Sequence, residues 1–444
     1  MTTAETATPA TRPAAAIGPR PGGFGGGGAM TPATNSIGLA AEHFAASMLY
    51  LVAGSAGLVW IAPELAAGTF LSPHVAGVTH LFTLGWITTT IFGALCQLLP
   101  VALGAPLRSV RVAHASFWTF APGVGLFATG IASSSTTLHN VGISFVAVGI
   151  VLAVANIGAS LRTARMRDAT WAAVILATGF LSSTLLFGII LLHNLDTGFI
   201  AQWRLHVLAS HLHVAIVGWA VIMMSGVSYR LLPMFLLAHG ADTRWIRGAL
   251  VLLTAGVVAL PIGLLTGVAL VAWLGVLLLE GGVACFLCQA LAFHRVRVRK
   301  QLDPGLRFAA AGLAFLAASA VLGPVVLARG VGHGHLAVAY VATGLLGGVA
   351  LFIVGFFYKI VPLLAWTARY RNKMGKGKVP TVAETYSARV ATVQFWFMVL
   401  GVVLLATGAG AAWAHVARCG AVLFLGGALL FASQMARLVL GGHS

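Results

Sequence analysis

Long apolar runs separated by short polar breaks recur along the chain, at 38–62, 75–103, 111–133, 140–162, 169–193, 205–236, 246–268, 270–295, 306–328, 335–365, 388–410 and 414–438. About 20 consecutive apolar residues carry a helix across a bilayer core. These runs are too long for strands and lack a period-two alternation. The pattern predicts an all-α membrane protein with about twelve transmembrane helices.

The second, sixth and tenth runs share a layout. The second reads THLFTLGWITTTIFGALCQLLP, with His80, Trp86 and Pro100; the sixth reads LHVAIVGWAVIMMSGVSYRLLP, with His213, Trp219 and Pro233. Histidine, Gly-Trp and Leu-Leu-Pro fall at identical spacings in the two. The tenth is looser: GHGHLAVAYVATG leads to FFYKIVP, and His333 and His335 lie about two turns further from Pro362. One such helix in every four, each running the same way, implies a parallel repeat about an axis along the membrane normal. The expected architecture for residues 36–444 is therefore three four-helix arcs in a pseudo-threefold arrangement.

Composition agrees: 59% of the 444 residues are hydrophobic and 8% charged. The net charge of +17 changes meaning once its residues are located. Basic residues sit in alternate loops: Arg108 and Arg111; Arg162, Arg165 and Arg167; Arg244 and Arg247; Arg295 to Lys300; Arg369 to Lys378. That is the positive-inside pattern, with both termini cytoplasmic. The charge reports topology and not a nucleic-acid footprint, and the lipid bilayer is the first partner.

Residues 1–35 are Ala, Thr, Pro and Gly-rich, including GGFGGGG. Such a segment buries no core and is expected to be disordered; without a continuous apolar stretch it does not read as a cleaved signal peptide. Neither a P-loop nor a dinucleotide-binding glycine motif occurs in a strand-to-helix context. Of four cysteines, Cys96 lies within a run, and Cys285 and Cys288 form a C-x-x-C without a second pair. These read as small core residues rather than a zinc site.

Histidine inside a membrane usually marks function. On corresponding helices of a repeat it points to a bound haem or metal, against the plainer reading of an imidazole hydrogen-bonded to a neighbouring helix. His333 and His335, two residues apart, project to nearly opposite sides of a helix. They also suit a surface turn at the start of the run. His206 and His213 share a face, and His211 looks elsewhere. Glu280 is the only carboxylate deep in a run, read either as a proton-path group or as a helix-packing hydrogen bond. Arg230 and Lys359, each three residues before a repeat proline, are expected to snorkel to the interface. His74, His43, His114, His139, His193, His239, His294, His415 and His443 read as interfacial.

A twelve-helix chain with histidines on helices two, six and ten, and H-x-H on the tenth, resembles subunit I of the haem-copper oxidase superfamily. It is most similar to the C-type oxidase and nitric oxide reductase branch. The resemblance implies a bis-histidine b-type haem on His80 and His335, a second haem on His333, and a copper or iron on His213, with His206 and His211 nearby. It further implies a bacterial-type cytoplasmic (inner) membrane, a cytochrome c or quinol donor and oxidase-type partner subunits. The seventh run, GALVLLTAGVVALPIGLLTG, departs from the family. It has no histidine for the second metal, no tyrosine and no glutamate cluster. The expected function is a haem-binding membrane redox protein handling O2 or NO. The alternatives are an NnrS-like nitric-oxide-stress or copper-handling protein, or a transporter without haem. No C-x-x-C-H occurs, so no haem is covalently attached.

Overall fold

The computed structural model describes residues 34–373 and 378–440. The tail expected to be disordered falls largely on residues 1–33, which lie outside the described residues, as does His443. The described chain is a multi-pass membrane protein. Twelve of its helices are long and apolar enough to cross a bilayer: Gly38–Ala66, Pro73–Leu103, Val110–Ala132, Thr136–Leu161, Ala169–Thr197, Ala201–Leu236, Trp245–Thr266, Ala269–Arg295, Pro304–Arg329, Gly334–Lys373, Ala388–Gly410 and Ala414–Val439. They are helices 1 to 12 below. No strand occurs among the described residues.

Polar caps set many of the breaks. Ser72, Ser109, Ser135 and Ser387 start helices 2, 3, 4 and 11 by accepting from backbone N–H groups of the first turn. Asp168 and Asp303 do the same for helices 5 and 9. Each satisfies a donor that the helix itself leaves without a partner.

Packing follows the sequence repeat. Helices 3 and 4, 7 and 8, and 11 and 12 form the tightest hairpins; helices 1, 5 and 9 lie along helices 2, 6 and 10; and the arcs join through helices 4 and 5, 8 and 9, and 12 and 1. Helices 10 and 2 are the two most buried spans, and helix 10 touches both helix 2 and helix 6, so the three histidine-bearing helices meet.

Those three helices carry a feature that periodicity did not announce. Each contains a π-helical stretch: Leu81–Thr88, Val214–Val221 and Ala342–Ala350. Two of them begin directly after His80 and His213. Near the middle of each sits a glycine, Gly85, Gly218 or Gly347, pressed onto a ring from the arc's first helix. A Cβ there would lie 2.5 Å from Cγ of Tyr50, 2.8 Å from Cγ of Phe180 and 2.6 Å from Cγ of Phe315, respectively. The ring fills the space a side chain would need, and this contact sets how closely the middle helix approaches its neighbour.

At the opposite end, the cations three residues before the prolines do more than snorkel. Arg230 forms an ion pair with Asp168, and Lys359 pairs with Asp303, which Arg299 also contacts at 2.6 Å. Each aspartate thus caps one helix and clamps the next. The third repeat proline is not an exit, because helix 10 continues beyond Pro362 to Lys373. His43 and His139, near the starts of helices 1 and 4, are buried within the protein, at 3% and 4% exposure. They face packed neighbours, His43 the ring of Phe117 and His139 the carboxylate of Asp196 at 3.7 Å. All four cysteines are free.

Replacing Gly85, Gly218 or Gly347 by Ala forces a Cβ onto a ring that cannot swing away, and should cost about 1–3 kcal/mol each. Gly179→Ala, in helix 5, meets nothing within 4 Å and should leave stability within about 0.5 kcal/mol. Thermal midpoints of the purified variants measure this; unchanged midpoints for the three would contradict the packing argument.

Candidate functional site

Three seams separate the central helices, and the repeat places the same two positions on each. Counting back from Pro100, Pro233 and Pro362, His80, His213 and Ala342 are equivalent; two residues earlier stand Val78, His211 and Tyr340.

In the seam between helices 2 and 6, the rings of His80 and His211 face each other with centroids 6.4 Å apart and planes tilted 40°. His80 Nδ1 lies 2.8 Å from the Ala76 carbonyl. A carbonyl only accepts, so this nitrogen carries the proton and Nε2 presents a lone pair. Phe127 packs edge-on against the same ring at 5.1 Å. His211 Nδ1 is buried without a hydrogen-bond partner. Deeper in the seam, Trp219 Nε1 donates to Thr88 Oγ1 at 3.0 Å.

In the seam between helices 6 and 10 the corresponding pair is His213 and Tyr340, with centroids 5.9 Å apart. His213 Nδ1 donates to the Ala209 carbonyl at 2.7 Å, and Tyr340 donates its O–H to Nε2 at 3.1 Å. The pair closes on itself. Beside it is a cavity of about 80 Å³, where Glu280 and Ser319 join His213 and Tyr340 among mostly apolar side chains; helix 7 contributes Leu260 and Leu264. A single water needs roughly 10–15 Å³ by this measure, so there is room for several.

For the seam between helices 10 and 2 the equivalent positions are Ala342 and Val78, both buried, and Val78 packs toward Gly57 of helix 1. Here Trp86 stacks on Phe357 at 5.5 Å. Ala350 stands where helix 2 has Thr88, and Trp86 Nε1 is buried with no partner.

Glu280 differs from the other described carboxylates. Glu42 meets His114, Glu64 meets His74, Asp196 meets His139, Asp242 meets Arg244, and Asp168 and Asp303 form the clamps. Glu384 closes a capping box with Thr381; outside the spans, that backbone bond holds its carboxyl below the usual range. Glu280 has no hydrogen-bonded or cationic partner among the described residues, so it is not a helix-packing bond. A Cβ on Gly323 would lie 3.3 Å from its Oε1 and 4.0 Å from the Tyr340 hydroxyl, placing the two groups on the same wall.

The remaining expected ligands are dispersed. His335 Nδ1 donates to the Ala409 carbonyl at 3.1 Å, and Gly68 packs against it, where a Cβ would lie 3.3 Å from Nδ1. His335 thereby fastens the loop before helix 2 and the end of helix 11 to the start of helix 10. The ring across from His80 is that of His211, not His335. His333 is exposed in the turn that starts helix 10. His206 lies beside Trp203 at 6.2 Å, with Nδ1 buried and unpartnered. Among the described residues no three His, Cys, Asp or Glu side chains converge as a metal-binding group. Sequence reasoning missed Tyr340; the signal was its place in the repeat, opposite His213.

No protein-family model matches the chain, and no curated protein is similar to it. The donor chemistry fits a haem iron. His80 and His335 are held at Nδ1 by backbone carbonyls, which leaves Nε2 as the nitrogen that would bind such an iron, and His211 Nδ1 is buried without a hydrogen-bond partner.

A carboxyl in an apolar cavity without a partner is costly. Glu280→Leu should therefore raise stability by about 1–3 kcal/mol, seen as a higher thermal midpoint. A lower midpoint would mean that Glu280 makes a bond the geometry does not contain.

Proposed function

We propose that this chain is a haem-binding integral membrane redox protein built on the plan of haem-copper oxidase subunit I, but without that enzyme's full second metal site. The observation that carries the reading is the state of the imidazoles on the central helices. His80, His213 and His335 each have Nδ1 fixed to a backbone carbonyl at 2.8, 2.7 and 3.1 Å. That arrangement orients a neutral ring and leaves Nε2 as the ligand atom. His80 and His335 keep Nε2 unspent, whereas His213 has given its own to Tyr340. A b-type haem held there would exchange single electrons, while the protein holds the rings in place and keeps the site apolar.

On this reading the chain lies in a bacterial-type cytoplasmic membrane with both termini inside. It takes electrons from a cytochrome c or a quinol, and it works alone or with oxidase-type subunits. Oxygen reduction is not expected of the isolated chain. The cavity beside His213 receives only Leu260 and Leu264 from helix 7, where the oxidases supply two histidines. That same observation favours, as a second reading, an NnrS-like role in nitric oxide stress or copper handling over terminal oxidation. A transporter without haem is the remaining alternative.

The chain purified from haem-replete cells should be coloured, with a Soret band, a low-spin reduced-minus-oxidised spectrum and haem removable by acid solvent. Steady oxygen consumption with a quinol or cytochrome donor should be absent. A colourless protein, under conditions where a control haem protein fills, would sink the haem reading. Cyanide-sensitive turnover would restore the oxidase.

A further inference from the structure

We propose that His211 is the axial ligand opposite His80, so that the haem iron is held across helices 2 and 6 rather than helices 2 and 10. This rests on the haem reading above and names the pair that would carry it.

The argument compares two seams that the repeat makes equivalent. His213 and Tyr340 occupy the same two positions as His80 and His211. In their seam the second residue supplies an O–H, and the lone pair of His213 is satisfied at 3.1 Å. Between helices 2 and 6 the second residue is another imidazole. His80 is held as the Nδ1–H tautomer by Ala76, so its Nε2 has a lone pair and nothing to accept from. His211 has a buried nitrogen with no partner. Polar atoms left unsatisfied in an apolar interior are costly and rare. A metal between the two rings would take a lone pair from each imidazole. The spacing suits one: nitrogen–metal bonds of about 2.0–2.1 Å on each side, plus the two ring radii, put imidazole centroids roughly 6 Å apart, against 6.4 Å observed.

Two further observations agree. Helix 5 presents Gly188 to His211, and a Cβ there would come within 3.3 Å of the ring's Cε1; the glycine leaves the ring its place. His335 is engaged elsewhere, bonded to the Ala409 carbonyl and packed on Gly68.

The test uses the full-length chain loaded with haem, read by electron paramagnetic resonance and by redox titration of the visible bands. His80→Ala and His211→Ala should each lose the bis-histidine low-spin signal at least tenfold, while His335→Ala keeps it. His211→Met guards against simple misfolding. It supplies a thioether in place of the imidazole and should give a histidine–methionine spectrum with a raised midpoint potential. A wild-type low-spin signal in His211→Ala, or its loss in His335→Ala alone, would overturn the assignment. So would an unchanged spectrum in His211→Met. Failure of the wild-type chain to take up haem would show before any substitution, and would reject the haem reading itself.

Discussion

The contact on which the rest of the structure depends is a ring pressed onto a glycine in the middle of each central helix. Tyr50 on Gly85, Phe180 on Gly218 and Phe315 on Gly347 bring the first helix of each arc against the π-helical stretch of the second. In a bilayer the helices gain little from burying apolar surface against one another. Close backbone approach and dispersion supply the association, and a flat ring over a bare Cα is an efficient form of it. Three such contacts draw helices 2, 6 and 10 to a common centre. The ion pairs Arg230–Asp168 and Lys359–Asp303 clamp two of the arcs at the proline end, where the charges cap helices as well as pair.

Once the three helices meet, the repeat fixes what faces what, and the seams differ only in the residues at two positions. One pair is His80 with His211 and one is His213 with Tyr340; the equivalent positions of the third are Ala342 and Val78, both buried. The first brings two imidazoles together with no hydrogen bond between them. The second is internally satisfied and opens on a cavity with an unpartnered carboxyl. The third has no chemistry, and a tryptophan fills its seam. A single architecture thus supports a ligand-like site, a polar cavity and a packing interface. Two facing imidazoles, one with its Nε2 lone pair turned free by the Ala76 carbonyl, are the property that points to an electron-pair acceptor.

The twelve helices and their three-arc order were legible because apolar length and loop charge are strong signals in a membrane. The repeat that places His80 and His213 alike was legible too, whereas Cys285 and Cys288, read as core residues, are only partly buried. Which imidazole meets which was not. A helical wheel drawn at 3.6 residues per turn assumes a uniform twist, and a π-helical stretch between the histidine and the proline changes the relative azimuth of the two ends. The wheel therefore could not carry His80 around to His211. Tyr340 escaped notice because a tyrosine in an apolar run looks like packing until its repeat partner is known to be a histidine. His335 was expected to point at a cofactor; its bond to Ala409 comes from a helix 74 residues away in the chain, a contact no local spacing encodes. Helix 10 outran its proline because neighbouring helices bury it on most sides, and the lost backbone bond did not end it.

The central claim is the proposal that a haem would be held in the seam between helices 2 and 6, and not in the one between helices 10 and 2. An electron-density map of the purified, haem-loaded protein at side-chain resolution tests it most directly. The account predicts a planar feature standing between His80 and His211 and continuous with both rings, with Trp86 still stacked on Phe357 in the neighbouring seam. Density running instead from His80 to His335, with Trp86 displaced, would contradict it.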